Sequence, residues 1–109
     1  MSLTKKYAKN RAVCKVTFRV PKKAAMAADA VNVVGDFNNW SIRANPMKKL
    51  KSGDFTTTID LSVSKSYQFR YFMDEKQWEN DWEADGYEHS DFGNCDNSVV
   101  VVRAAKVCG

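Results

Sequence analysis

No run of apolar residues in this 109-residue chain approaches the roughly twenty that a membrane-spanning helix needs. The opening stretch MSLTKKYAKNR carries charge with no apolar segment behind it, so no secretory signal is expected and a cytoplasmic location is. Histidine occurs once, at His89, with no serine or cysteine nucleophile motif near it, which argues against a catalytic triad. Cysteine is sparse: Cys14, Cys95 and Cys108 are widely spaced and form no CxxC pair. They read as reduced thiols, two of them small core fillers, and not as a disulfide framework. Internal repeats, low-complexity tracts and linkers are absent, and the length accommodates one domain.

The formal net charge of +4 conceals an asymmetry. Lysines and arginines crowd the first half, in KKYAKNR, PKK and MKKLK, whereas residues 74–96 hold nine of the thirteen acids against one lysine, Lys76. A basic balance is one signature of a nucleic-acid partner. Here the basic residues are dispersed among several segments and no aromatic RNA-reading motif accompanies them, so neither a nucleic-acid nor a membrane partner is expected.

Period-two alternation dominates the rest. VCKVTFRV puts Cys14, Val16, Phe18 and Val20 on one face and Lys15, Thr17 and Arg19 on the other, the pattern of a half-buried strand. FTTTIDL does the same with Phe55, Thr57, Ile59 and Leu61, and SYQFRYFMD with Tyr67, Phe69, Tyr71 and Met73 against Gln68, Arg70 and Phe72. AVNVV and SVVVVR complete the set, the latter apolar on both faces and so a well-covered strand. Turn signals separate these runs, and the spacing predicts an all-β sandwich. KKAAMAADA tempts a helix through its alanines but has no cap or amphipathic stripe, so it is expected to be a loop. The expected organisation is an N-terminal extension at 1–11, a β-sandwich module at 12–103 and a tail at 104–109.

All three tryptophans, Trp40, Trp78 and Trp82, fall in turn or loop sequence outside the alternating runs. Tryptophan offers a flat apolar face with a polar edge, which suits a ligand that is itself an amphipathic plate. A pyranose ring is such a plate, with axial C–H groups on one face and hydroxyls around the rim. A sugar site therefore needs a stacking platform and a few fixed polar groups. Arg70, on the outward face of its strand, and Asn94, Asp96 and Asn97, before the last strand, are the polar candidates. Trp40 and Trp78 each follow a strand end, and a sandwich gathers such loops together.

Four blocks, VNVVGDFNNW, GDFTTTIDL, YQFRYFMDEKQWENDWEAD and FGNCDNSVVVV, resemble carbohydrate-binding module family 48, the isoamylase N-terminal early-set domain, over roughly residues 12–103. The family includes the glycogen-binding domain of AMP-activated protein kinase beta subunits and modules preceding the catalytic barrel of branching and debranching enzymes. The resemblance implies an immunoglobulin-like early-set sandwich of about seven or eight short antiparallel strands. It also implies that Trp40 and Trp78 stack on sugar and that Arg70 takes the place of a lysine that hydrogen-bonds the glucan. Phe92 replaces an aliphatic residue that reaches beside or through the sugar ring, and Asn94 and Asp96 occupy hydroxyl-bonding positions. Two departures flank Trp78: DEKQW is one residue longer than the usual Asp-Gly-x-Trp turn, and Trp82 stands where a proline commonly follows the aspartate.

Competing readings of individual residues are weaker. Phe37, adjacent to a strand, is expected in the core, which leaves Trp40 free; Trp82 is expected to pack the acidic loop, and Asn97 to bond its own backbone in a turn. Arg70 has an ion pair with the acidic loop as its alternative role. DWEADGYEHSDF, residues 81–92, imitates the early positions of a calcium loop but has Phe92 where the bidentate glutamate belongs, so no metal is expected. The acids do not make a glycosidase without a cleft to hold a pair of them about 5–10 Å apart, so no enzyme activity and no cofactor is expected. The expected function is non-catalytic binding of α-1,4-linked glucan, such as glycogen or a starch-like oligosaccharide, serving a glycogen-metabolising enzyme in trans. The alternative is an early-set interaction or regulatory domain that binds little or no sugar.

Overall fold

The computed structural model describes residues 2–9, 12–25, 28–90 and 95–103, and these contain nine strands in two antiparallel sheets. The first sheet has the order β1 (Ser2–Tyr7), β2 (Val13–Val20), β5 (Phe55–Ser62), β4 (Lys48–Lys49). The second has β3 (Val31–Gly35), β6 (Lys65–Met73), β9 (Cys95–Val102), β8 (Gly86–Ser90). β7 (Gln77–Glu79) pairs with the half of β6 that β9 leaves open. The chain is an all-β immunoglobulin-like sandwich.

Alternation is what sorts these residues into layers. In β2, Cys14, Val16, Phe18 and Val20 are fully buried and face Phe69, Tyr71, Val100 and Val102 of the other sheet within one core cluster. Phe18 meets Phe69 edge-on with ring centroids 5.1 Å apart, and Phe69 meets Tyr71 at 5.6 Å, the geometry aromatic quadrupoles favour. Cys14 is a core filler as expected, and burial pushes its thiol above the ordinary value. β9 lies between β6 and β8 and buries Val99, Val100 and Val102.

Three features depart from the sequence-based expectation. Ser2–Tyr7, within the stretch assigned to an extension, forms an edge strand on β2, with Tyr7 Oη donating to the Arg103 carbonyl at 2.8 Å. Residues Lys22–Ala25, expected as loop, form one helical turn (α1), in which the amides of Ala24 and Ala25 both donate to the Pro21 carbonyl. Burial of Ala24 and Ala25 against the core holds a turn that propensity alone would not. Asn97, expected in a turn, is a buried residue of β9. Phe92, Asn94 and Cys108, with the side chain of Cys95, lie outside the described residues.

No helix among the described residues is long and apolar enough to cross a membrane.

Candidate functional site

β3 and β6 approach so closely that a Cβ on Gly35 would collide with the backbone carbonyl of Gln68 and with Phe69, so glycine is required there. The chain then turns through a 3-10 segment at Asp36–Asn38 and two left-handed residues, Asn39 (φ 55°) and Trp40 (φ 58°). Asn38 braces the turn: its Oδ1 accepts from Gly35 N at 3.1 Å, and its Nδ2 donates to the Val33 carbonyl at 3.0 Å and Asn45 Oδ1 at 2.7 Å. The Trp40 amide closes the turn on the Gly35 carbonyl at 2.9 Å.

Phe37 points inward, 5.6 Å from Phe18 and 6.3 Å from Tyr67 between ring centroids, and so takes the core contact. Trp40 is half-buried, and its indole Nε1 donates to Asp36 Oδ1 at 2.9 Å. The other oxygen of that carboxylate accepts the backbone N–H of Gln68 at 2.7 Å. One acidic side chain therefore fixes the indole relative to β6. Sequence reasoning missed Asp36, although an aspartate at the strand end, four residues before a tryptophan, was visible.

Along β6, Gln68, Arg70 and Phe72 point away from the core, as the alternation predicts. The turn from β6 to β7 places Asp74 (φ 53°) and Glu75 (φ 54°) in the left-handed region. Asp74 Oδ1 steadies it by accepting from the amides of Asp29 and Ala30, both at 2.9 Å. This longer turn sets Trp78 opposite Phe72. Their rings stack with centroids 4.3 Å apart and planes 24° from parallel, and the Arg70 guanidinium carbon lies 5.5 Å from the Trp78 ring centroid, inside cation–π range. Phe72 is buried behind this stack, while Trp78 remains 37% exposed. Arg70, Trp78 and Phe72 thus form one outward-facing assembly on the second sheet. Farther along that face Asn97 Nδ2 donates to Gln68 Oε1 at 3.0 Å, which ties β9 to the residue that Asp36 holds.

The chain leaving β7 is locked by a buried polar network that sequence reasoning also missed. Asp81 is completely buried; its Oδ2 accepts from Tyr71 Oη at 2.7 Å and its Oδ1 from the Glu83 amide at 2.8 Å. The Asp81 amide donates to Ser98 Oγ at 2.8 Å, and Ser98 Oγ and its amide both donate to Asn80 Oδ1. Tyr87 Oη donates to the Asp81 carbonyl at 2.6 Å. Burial pushes the Asp81 carboxyl above the usual range against the opposing pull of the Tyr71 hydroxyl, and burial pushes the Tyr71 phenol well up. The first acid of the calcium-like segment is in this way a structural acceptor. Trp82, expected to pack that loop, is 56% exposed.

Strand alternation puts Asp96 on the opposite face of β9 from Asn97 and therefore from Arg70. It is exposed, its carboxylate lies 3.4 Å from His89 Nδ1, and its carbonyl accepts from Asn80 Nδ2 at 2.8 Å. The described site thus joins Arg70 with Trp78 and links Trp40 to the same strand through Asp36.

A two-sheet antiparallel sandwich with an aromatic and cationic outer face defines the class. Residues 9–88 match the family carbohydrate-binding module 48 (isoamylase N-terminal domain), and the chain belongs to that family. The matched span includes Trp40, Arg70 and Trp78 and ends before Phe92, Asn94 and Asp96. No curated protein compared with the chain matches it.

Proposed function

We propose that this carbohydrate-binding module binds α-1,4-linked glucan, of glycogen or starch type, without altering it. The observation that carries the reading is the assembly of Arg70, Trp78 and Phe72 on the outer face of the second sheet. A pyranose laid on Trp78 buries its axial C–H face against an indole already backed by Phe72. The Arg70 guanidinium, beside that ring, donates to perimeter hydroxyls. Trp40 supplies a second platform whose indole N–H is already satisfied by Asp36, so its apolar face is the part left for ligand.

Two acids of this region have structural roles: Asp36 is engaged by Trp40 and Gln68, and Asp81 by Tyr71 and Glu83. A shallow platform of this kind gives micromolar to millimolar affinity, since association costs offset much of the contact energy. Phe92 and Asn94, which lie outside the described residues, complete the proposed contacts, Asp96 being left out of the platform because it lies on the opposite face of β9; the module localises an associated glycogen-metabolising activity on polysaccharide.

Tryptophan fluorescence titrated with maltoheptaose, with cellohexaose as control, tests this. A saturable change with the α-glucan alone is expected; no change with either in a folded sample contradicts the proposal.

A further inference from the structure

Two lysine runs that lie apart in the sequence, PKK and MKKLK, meet in the fold. Val20, which ends β2 just before the first run, pairs with Phe55, and Lys48 and Lys49 pair with the first residues of the same strand. Both runs therefore reach one end of the first sheet. Between them lies a half-open cleft of about 650 Å³, the size of a small-molecule site and too small for a folded partner.

The cleft has a built cationic rim. Lys22 donates its amide to Asp54 Oδ1 at 2.8 Å. Its aliphatic stem lies against Gly53, whose φ of +92° and lack of a side chain make room for it; an added Cβ there would strike the lysine. Lys49 is held with Nζ 5.8 Å from the Phe55 ring centroid. Among the described residues, neither these two ammonium groups nor that of Lys23, which also lines the cleft, has an ion-pair partner. The acid in the lining, Asp54, is taken by Arg19, whose Nε and Nη2 donate to Oδ2 at 3.1 and 2.7 Å. The Lys22 amide and then Arg19 hold that carboxyl below its usual range, so it stays ionised and neutralised while the rim stays positive. The floor, from Pro21, Ala25, Ala28 and Phe55, is apolar.

We propose that this cleft binds a hexose phosphate, independently of the aromatic face. Ammonium groups act as point charges toward phosphate oxygens, and the neighbouring Arg19 guanidinium is engaged by Asp54, which leaves the lysines to meet the anion. The Asp54 oxygens keep lone pairs free to accept from sugar hydroxyls, and half-exposed Pro21, with the lysine stems at the rim, meets the C–H face of one ring.

Amide spectra of the ¹⁵N-labelled full chain, titrated with glucose 6-phosphate, inorganic phosphate and glucose at matched ionic strength, test the proposal. The expected result is saturable shifts at Ala25, Lys49, Gly53 and Phe55 with glucose 6-phosphate, weaker binding of phosphate and no response to glucose. The double substitution Lys22→Gln, Lys49→Gln raises the dissociation constant about tenfold or more while leaving urea unfolding unchanged. Equal affinity for phosphate and glucose 6-phosphate overturns the sugar assignment. Shifts spread over every lysine-bearing segment and erased by salt overturn the site. Because the signals lie on the first sheet, failure of maltoheptaose to bind leaves this result readable.

Discussion

Trp78 and Trp40 are tied to β6 by different means, one by stacking on Phe72 and the other through Asp36. Trp78 rests on Phe72 and is 37% exposed. Trp78→Ala is expected to weaken maltoheptaose binding tenfold or more, a loss of about 2 kcal/mol typical of an aromatic anchor. Its cost in stability, read by urea unfolding, is only about 1 kcal/mol. Asp36→Ala removes the acceptor shared by the Trp40 indole and the Gln68 amide, so it is expected to cost about 1–2 kcal/mol of stability and to weaken binding without touching sugar. Asp81 gives a pH signature of defined sign. Its folded carboxyl is raised above the unfolded value of about 4, so the native state binds the proton more tightly. Its contribution is therefore full below about pH 4 and declines as pH rises toward the folded value. Urea unfolding of wild type and Asp81→Asn across pH 4–7 should show the difference in stability between them shift in favour of the variant with rising pH. Asp54, held low, acts in the opposite sense: its contribution is present above the ordinary carboxylate range and is lost on acidification through the lowered value.

At the scale of elements, the turns decide where the strands deliver their side chains. Gly35→Ala drives a methyl group into the backbone of β6, and a loss of about 2–3 kcal/mol is expected in urea unfolding, as for an overpacked core site. Glu75, by contrast, occupies a left-handed position that costs a side-chain-bearing residue about 1–2 kcal/mol, and its exposed ion pair with Arg43 contributes at most about 1 kcal/mol. Glu75→Gly is therefore expected to raise the melting temperature slightly and keep Trp78 in register with Phe72. These elements also mark how far the sequence could be read. β2 buries every second side chain, and β5 and β6 set an apolar face against a more polar one, so their period is written in residue type. β1, β7 and β8 carry SLTKKY, QWE and GYEHS, which bury little and are held by neighbours. An edge strand of that composition has no hydrophobic period to detect. The α1 turn was hidden for the related reason that packing, not propensity, sustains it.

Across the whole molecule, the two sheets present different chemistry. The second bears Trp78, Arg70 and the acidic β7–β8 segment, and the first gathers the lysine runs around its cleft. Arg70 and Trp78 were legible as candidates because one faces outward by alternation and the other follows a strand end. Their meeting at 5.5 Å depends on a turn whose left-handed residues, Asp74 and Glu75, carry no glycine to announce it. The bonds from Asp36 to Gln68, Asn80 to Asp96 and Asp81 to Ser98 were not legible, since partners 16 to 32 positions away are set by topology and not by spacing. The central claim is that this outer face receives an α-glucan, and the indole N–H signals of ¹⁵N-labelled protein titrated with maltoheptaose test it most directly. The account predicts that the Trp78 signal, and with it Trp40, moves saturably while Trp82 stays in place. Movement of Trp82 alone, or no movement up to the solubility limit of the sugar in a folded sample, would contradict it.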